Sequence, residues 1–308
     1  MTDDELTKVA REVRRGIVTA VHAAKSGHPG GSLGAADILT YLYFEEMNVR
    51  PDEPRWVGRD RFVLSKGHAA PGLYSVLAEK GYFPKSDLES LRHIGCHLQG
   101  HPNMNDTPGV DMSTGSLGQG ISAAVGMALA ARHWGDDYRT YALLGDGECE
   151  EGQVWEAAMF AGNQQLDNLC VIVDHNGLQI DGTIDEVNSA MPIAEKFRAF
   201  KFHVIEVADG NDMAQLRAAF DEARATKGKP TCIVAETVKG KGVSFMENLA
   251  KWHHGTPNDE QYLQAVEEIN GQITAAGGEP IPARLKTPKA KSGASYPPAR
   301  KDVTDMLT

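Results

Sequence analysis

Two short motifs in the middle of the chain carry side chains suited to binding a cation and an anion together. The apolar run Tyr141–Leu144 leads into a Gly-Asp-Gly turn with Asp146 at its centre, and the run Cys170–Val173 is followed closely by Asn176. One strand–helix–strand unit takes roughly 30 residues, which matches the interval between Asp146 and Asn176. We therefore expect both side chains to lie just beyond the carboxyl ends of two parallel strands, where open α/β sheets bind ligands.

The oxygen donors of these motifs favour a hard divalent cation. A carboxylate oxygen of Asp146, an amide oxygen of Asn176 and a nearby backbone carbonyl would leave room for two diphosphate oxygens and a water in the octahedron that Mg²⁺ requires. Gly145 and Gly147 allow close approach of a phosphate, and the helix that follows presents its N-terminus to the anion. The alternative is that both motifs are ordinary turns, in which Asp, Asn and Gly prevail. Their matched positions at two strand ends favour a metal and diphosphate site.

A dinucleotide-binding fingerprint does not fit, because Glu150 stands where that motif requires glycine.

The histidines form a second set of candidate residues. Four of the eleven lie in glycine-rich segments: His28, His68, His101 and His254. Short loops can carry an imidazole to a cleft, where it can hydrogen-bond a substrate hydroxyl, a diphosphate or a developing oxyanion. We expect ordinary structural roles for His22, His93, His133 and His203, and we assign no role to His97 and His175.

The elements that must position these residues alternate along the chain. Strands are predicted at Phe62–Leu64, Tyr141–Leu144, Cys170–Val173, His203–Val207 and Cys232–Ala235, with helices around residues 118–133, 152–165 and 212–226. Thr2 and Glu5 predict a capped first helix, and a glycine-rich turn, GHPGGSLG, precedes a second helix from about Ala35 to Met47. The alternation predicts an α/β fold with a parallel sheet and helices on both faces.

Composition limits the class of protein. The chain has 308 residues, 41% of them hydrophobic, and a formal net charge of −11, which argues against binding to nucleic acid or an anionic membrane. No apolar run is long enough for a membrane span and none resembles a secretory signal, so we expect a cytoplasmic protein. The four cysteines lie far apart and suggest neither zinc nor disulfides. We predict one domain over residues 1–270 and a Pro-rich, basic tail or linker over 271–308.

Several motifs in order give the sequence a family resemblance. They are SGHPGGSLG at 26–34, SKGHAAPGLY at 65–74, GHPN at 100–103, TGSLGQG at 114–120, GDGE at 145–148, NGLQIDG at 176–182, KGKG at 239–242 and HHG at 253–255. Together they resemble the transketolase family, whose domain binds the diphosphate of thiamine diphosphate. The resemblance covers residues 1 to about 270 and implies the pyrophosphate-type thiamine diphosphate-binding fold.

The resemblance also implies site residues. The metal, Mg²⁺ or alternatively Ca²⁺ or Mn²⁺, would be held by Asp146, Asn176 and the carbonyl of Leu178. The cofactor would contact His68, Gly115, Ser116, Leu117, Asp146, Gly147, Glu148, Asn176, Leu178 and His254. His28, His101 and His254 would face the substrate, with His253 a rival for the last position. Glu151 and Glu156 would lie at a subunit contact, where Glu151 would join a proton relay; the alternative is simple interaction with the helix dipole. Ser116 departs from the proline of many full-length transketolases.

Transketolases hold the cofactor between two domains, and the second supplies an activating glutamate that we do not find after residue 270. The resemblance therefore implies an N-terminal subunit that works only with a separate C-terminal subunit, as an α₂β₂ assembly, and transfers a two-carbon ketol unit from a ketose phosphate to an aldose phosphate. Three alternatives stay open: action on an unusual sugar phosphate, a 1-deoxyxylulose-5-phosphate synthase-like subunit, and a non-catalytic scaffold subunit.

Overall fold

A five-stranded, fully parallel sheet forms the centre of the molecule. The computed structural model describes residues 1–285. The strands are β1 (Arg61–Leu64), β2 (Thr140–Gly145), β3 (Leu169–His175), β4 (His203–Val207) and β5 (Thr231–Glu236), in the spatial order β1-β2-β3-β5-β4. Gly145 pairs with Asp174 at the ends of β2 and β3. Asp146 and Asn176 therefore meet at the carboxyl edge of the sheet, and the predicted α/β class is confirmed.

Ten α-helices lie in the described part of the chain. They are α1 (Asp3–Ala24), α2 (Pro29–Gly34), α3 (Ala36–Tyr41), α4 (Ala70–Lys80), α5 (Gln119–Trp134), α6 (Gly152–Asn163), α7 (Ile184–Val187), α8 (Ile193–Ala199), α9 (Met213–Ala225) and α10 (Asp259–Ala275). The Thr2–Glu5 capping box is present at the start of α1. None of the helices between residues 1 and 285 is long and apolar enough to cross a membrane.

The sheet is buried on both faces. Tyr141 and Leu143 of β2 pack into a core with α1, α3, α4, α9 and α10. Ala142 and Leu144 point the other way, into a second core with α5, α6 and α8. Alternate residues of a strand face opposite sides of its sheet, and helices on both sides explain why every residue of β2 is apolar or small.

The predicted glycine-rich turn at GHPGGSLG is wrong, because most of it is helix. Pro29 occupies the first turn of α2, where proline is tolerated since its missing N–H would be unpaired anyway. The glycines serve close packing: a Cβ on Gly30 would lie 2.6 Å from the carbonyl oxygen of Trp252. The second predicted helix is α3, which continues as a π-helical turn over Leu42–Glu46.

The C-terminal part of the domain ends in α10. The predicted boundary at residue 270 falls inside this helix, and residues 276–285 carry no helix or strand beyond a short turn. The rest of the predicted tail lies outside the described residues. Cys149, Cys170 and Cys232 are buried and all four cysteines are free thiols.

Candidate functional site

Asp146 is held by three backbone donors at the carboxyl edge of the sheet. Its Oδ1 accepts a hydrogen bond from Gly147 N (2.8 Å), and its Oδ2 accepts from Asn176 N (2.7 Å) and Gly177 N (2.6 Å). Only 2% of Asp146 is exposed, and within residues 1–285 it forms no ion pair. Burial, and secondly the charge of Asp174, raise the pKa of the Asp146 carboxyl. A buried carboxylate with backbone donors alone is a place where a cation would be strongly stabilised.

Asn176 and Leu178 extend this edge with further oxygens. The Asn176 amide oxygen accepts the N–H of Leu178 (3.2 Å), which keeps it turned toward its own loop. The Leu178 carbonyl accepts a hydrogen bond from Lys239 Nζ (2.8 Å). Asp146, Asn176 and Leu178 are thus brought together, as predicted, and a positive charge already lies against the Leu178 carbonyl.

The structure also shows buried groups that hold this edge in place. Lys66 pairs with Asp174 and donates to Gly31 O (3.1 Å), while Thr237 donates to the other Asp174 oxygen. The Asp174 carbonyl accepts the N–H of Asp146 (3.3 Å). The Lys66–Asp174 ion pair and its hydrogen bonds thus connect α2, the loop after β1 and the ends of β3 and β5.

Glu148 is directed into the protein. Its Oε1 accepts from Ser65 Oγ (2.5 Å) and Gly118 N (2.9 Å), and its Oε2 accepts from Gly145 N (3.1 Å). Burial raises the pKa of the Glu148 carboxyl. The contacts join the loops that follow β1 and β2 to the start of α5, so the side chain fixes the loops of the site. We call Asp146, Glu148 and Asp174, with the groups that they bond, the carboxylate edge.

Four imidazoles pack together beside the carboxylate edge. The ring centroid of His28 lies 5.3 Å from that of His68, 5.6 Å from that of His253 and 5.0 Å from that of His254. His68 and His253 lie 5.0 Å apart. We call these four residues the histidine cluster. Both rivals, His253 and His254, belong to it.

The histidine cluster is held by packing more than by hydrogen bonds. His28 Nδ1 is buried without a partner among the described residues, and His253 Nδ1 lies 3.0 Å from Lys239 Nζ. Burial lowers the pKa of His28 to about 4 and that of His253 to about 3, and it lowers the pKa of His68 well below its usual value. These three imidazoles are therefore neutral at pH 7, each able to donate one hydrogen bond and accept another.

His101 and the TGSLGQG loop border the same region. A Cβ on Gly115 would lie 3.1 Å from the His101 ring, and Gly115 has a left-handed φ of +148°. A Cβ on Gly67, beside His68, would lie 2.7 Å from Gly115 N. Both glycines therefore allow this loop to pack between His68 and His101. Ser116 is exposed and Leu117 half-buried in the same loop.

Glu151 and Glu156 lie on the other side of the carboxylate edge, at α6. Glu151 is the N-cap residue of α6 without a side-chain cap bond, and both carboxylates are exposed. The same helix exposes 55% of Met159 and 44% of Phe160. This surface borders a cavity of about 630 Å³ lined by Phe200 and Lys201.

The remaining histidines have local partners or lie at the surface. His22 stacks on Tyr262 and bonds Asp259, His203 bonds Glu222, His133 packs on Trp134 and His93 is exposed. The two without an assigned role, His97 and His175, pair with Asp87 and Glu236. None of them joins the histidine cluster.

Sequence reasoning missed Lys239, Lys66 and Asp174. Lys239 is buried, and its pKa is lowered to about 8, mainly by burial and then by Lys66. The glycines that follow Lys239 in KGKG were a usable signal, because glycines let a chain approach another group closely. Lys66 and Asp174 stand next to motif residues, but nothing in their spacing showed that they form an ion pair.

The donor set fits a cation only together with a ligand. Among residues 1–285 no group of three or more His, Cys, Asp or Glu side chains could hold a metal by itself. One carboxylate, one amide and one carbonyl leave about half of an octahedral shell to other oxygens. Neighbouring Lys239 and the backbone around Gly147 suit an anion, so the edge fits a divalent cation that bridges to a diphosphate.

Comparison with known sequences identifies relatives of two lengths. The chain is 46% identical over 261 residues to one of the subunits of apulose-4-phosphate transketolase from Phocaeicola vulgatus, covering 84% of this chain and 92% of the relative. It is 44% identical to the 6-deoxy-6-sulfo-D-fructose transketolase subunit SqwG from a Clostridium species, covering 86% of this chain and 96% of the relative. Rat transketolase is 40% identical, but this chain spans only 42% of its length.

Solved structures of transketolases have the same fold as this chain. Transketolase from Leishmania mexicana superposes with a TM-score of 0.82 at 37% identity, over 91% of this chain and 42% of that one. The Campylobacter jejuni transketolase gives a TM-score of 0.82 at 34% identity, over 91% and 44%. The family described as transketolase, thiamine diphosphate binding domain, matches residues 6–279. With that match spanning most of the chain, the protein belongs to the transketolase thiamine diphosphate-binding domain family.

Proposed function

We propose that this chain is the diphosphate-holding subunit of a two-chain transketolase that moves a two-carbon ketol unit from a ketose phosphate to an aldose phosphate. The observation that carries the proposal is the meeting of the carboxylate edge with the histidine cluster at one end of the sheet. One region suits a cation with a diphosphate, and the other suits the hydroxyl and carbonyl oxygens of a sugar.

Asp146, Asn176 and the Leu178 carbonyl would hold the divalent metal, and through it the diphosphate. Gly147 leaves room for the anion and Lys239 supplies positive charge. Gly115, Ser116 and Leu117 would lie beneath the rest of the cofactor, and His68 beside its diphosphate. When bound, thiamine diphosphate supplies the carbon nucleophile for the transfer. Glu148 takes no direct part in this proposal, because its oxygens are already bonded to three loops.

The histidines would bind and orient the sugar. A neutral imidazole donates one hydrogen bond and accepts one, so His28, His101 and His254 can position a hydroxyl or stabilise negative charge at a carbonyl oxygen. The buried Nδ1 of His28 has no hydrogen-bond partner among residues 1–285. His253 is bonded to Lys239, which favours His254 for the substrate and gives His253 the diphosphate side.

A separate second chain would complete the site. The relatives named as transketolase subunits match this chain over nearly their full length, whereas it spans 42% of rat transketolase. The exposed Met159 and Phe160 on α6 are apolar in the way of a permanent interface. We infer an α₂β₂ assembly that covers this face, with Glu151 and Glu156 at the contact.

A second candidate substrate class follows from the same relatives. Two of them are named for apulose-4-phosphate and for 6-deoxy-6-sulfo-D-fructose. Action on an unusual sugar phosphate is therefore the main alternative to the common ketose phosphates.

The test combines the purified chain, the polypeptide encoded next to it, Mg²⁺ and thiamine diphosphate. Ketol transfer would be measured with common ketose phosphate donors and with apulose-4-phosphate and a sulfonated ketose, against one aldose phosphate acceptor. We expect transfer by the mixture and none by either chain alone. Size measurement of the mixture checks the α₂β₂ assembly.

Two variants of this chain serve as controls for the transfer assay. The Asp146→Ala chain should assemble with the partner yet show no transfer, and the Glu195→Gln chain, changed at an exposed residue of α8, should match wild type. Ketol transfer by this chain alone would contradict the two-chain proposal. Assembly without transfer on any sugar would favour a scaffold subunit instead.

A further inference from the structure

Arg92 lies between two loops that carry predicted substrate histidines. Its Nη1 donates to Ser26 Oγ (2.9 Å), two residues before His28. Its Nη2 donates to the carbonyl of Gly100 (3.4 Å), one residue before His101. The guanidinium is a rigid planar fork, so these two bonds fix one loop relative to the other.

Gly100 lets the guanidinium approach the GHPN loop closely. A Cβ at position 100 would lie 3.0 Å from Arg92 Cζ and 3.1 Å from Nε. The guanidinium therefore packs directly on the backbone of this loop. A side chain at this position would require the guanidinium to shift by a few tenths of an ångström.

The backbone of Arg92 adopts an unfavourable conformation to make these contacts. Its φ is +61°, in the left-handed region that costs a non-glycine residue on the order of 1–2 kcal/mol. The turn is closed by Arg92 N donating to Leu98 O (2.8 Å). Such strain persists where the surrounding structure fixes it, and it is concentrated at functional sites. Nε of Arg92 is buried without a partner among residues 1–285.

The charge of Arg92 acts on the same two imidazoles. Burial is the main cause of the lowered pKa of His28, followed by His254, Arg92, His101 and Lys239. Burial also lowers the pKa of His101, and Arg92 is the second cause. The rings of His68, His253 and His254 complete the groups that face His28. A fixed positive charge between the loops disfavours protonation of both histidines.

We propose that Arg92 is a positioning residue of the site, whose guanidinium ties the His28 loop to the His101 loop and keeps both imidazoles in place. The catalytic consequence rests on the proposed function, because it assumes that His28 and His101 bind the sugar. The contacts of Arg92 with the two loops are independent of that assumption.

The experiment compares three variants of the full chain with a matched control. Arg92→Gln removes the charge and the fork, Arg92→Lys keeps the charge but loses the fork, and Ser26→Ala removes one acceptor only. Arg198→Gln changes an arginine that pairs with Glu195 on the surface. Thermal unfolding first establishes that each variant is folded.

Histidine titrations by NMR of ¹⁵N-labelled full chain provide a readout that needs no activity. Arg92→Gln should raise the pKa values of His28 and His101 by about 0.5 unit or more, and Arg92→Lys and Arg198→Gln should leave them low. Unchanged values in folded Arg92→Gln would overturn the charge role.

Steady-state kinetics of the assembled enzyme test the positioning role. Both Arg92 variants should lower kcat about 10- to 100-fold with unchanged thiamine diphosphate affinity, and Ser26→Ala should lower it less. The acidic limb of the pH–rate profile should move to higher pH only in Arg92→Gln. Wild-type kcat in both Arg92 variants would overturn the proposal. If the wild-type complex transfers no ketol unit, the proposed function fails, and the titrations still decide whether Arg92 controls the two histidines.

Discussion

The carboxylate edge and the histidine cluster lie side by side but are built in opposite ways. Every carboxylate of the edge is bonded by several donors of the chain, so its oxygens are fixed before any ligand arrives. The imidazoles of the cluster pack on each other, and the buried Nδ1 of His28 has no partner among residues 1–285. In the proposed function, this difference matches two tasks. The preorganised carboxylate edge would hold the cofactor throughout, and the histidine cluster would bind and release the substrate in each cycle.

The largest expected effect comes from removing Asp146, the proposed metal ligand at the carboxylate edge. Asp146→Ala should weaken binding of thiamine diphosphate with Mg²⁺ about 100-fold or more, since even partners of metal ligands are worth 10- to 100-fold. Calorimetry with excess Mg²⁺ in the presence of the partner chain measures this. Glu195→Gln, at the exposed surface of α8, is the control. Unchanged affinity would remove Asp146 from the site and end the contrast between the two regions.

The second effect should appear in turnover and leave the cofactor in place. His28→Ala, His101→Ala and His254→Ala should each lower kcat on the order of 10²–10³-fold, because each removes a donor to a developing oxyanion or hydroxyl. Cofactor affinity should stay near wild type. His93→Ala, at an exposed position outside the histidine cluster, should leave kcat and cofactor affinity unchanged. If the three variants keep their turnover, these histidines have structural roles only.

The third effect is on stability. Glu148→Gln places an amide –NH₂ where a carboxylate oxygen now accepts from the backbone, so one buried donor loses its acceptor. We expect the free energy of unfolding to fall by about 1–3 kcal/mol, measured by urea denaturation of the chain. Glu150→Gln, whose amide oxygen can still accept the hydrogen bond from Gln179, should cost less. An equal loss in both variants would show that Glu148 does not clamp the loops.

The smallest expected effect is on how the stability of the folded chain depends on pH. The folded pKa values of His28 and His253 lie near 4 and 3, below the value of about 6.5 in the unfolded chain. The unfolded state therefore binds protons first, and stability should fall as the pH drops from about 6.5 toward 4. Asp146 has the opposite effect on stability. Because its pKa is raised in the folded state, its ionisation as the pH rises should lower the stability of the metal-free chain.

Urea denaturation between pH 4 and pH 8 separates the two regions. The double variant His28→Gln, His253→Gln should have a flatter acid slope than wild type, and His133→Gln, outside the histidine cluster, should keep the wild-type slope. Added Mg²⁺ with diphosphate should raise stability mainly at neutral and higher pH. Identical acid slopes in wild type and the double variant would show that the histidine cluster is not buried as neutral rings.

The sequence predicted the sheet and the positions of Asp146 and Asn176 well because strand ends and turn glycines are local signals. Asp146 and Asn176 were located from the spacing of one strand–helix–strand unit, and they meet as expected. The α2 helix was not predicted, because four glycines in nine residues of SGHPGGSLG favour a turn. Close packing of Gly30 against Trp252 and of Gly34 against Val238 explains two of them. The contact of Arg92 with Ser26, like the pair of Lys66 with Asp174, joins segments far apart in the chain, which no local pattern encodes.

The parallel sheet also determines when the site can form during folding. Arg61 of β1 pairs with Thr140 of β2, so this pairing must close a long loop that includes α4 and α5. Such non-local pairings are slow, since the entropy of loop closure is lost before contacts compensate for it. On the ribosome, α1 to α4 emerge well before β2 does. His68 and Asp146, which follow β1 and β2, therefore come together late, and an unfinished chain exposes the edge of β1 until then.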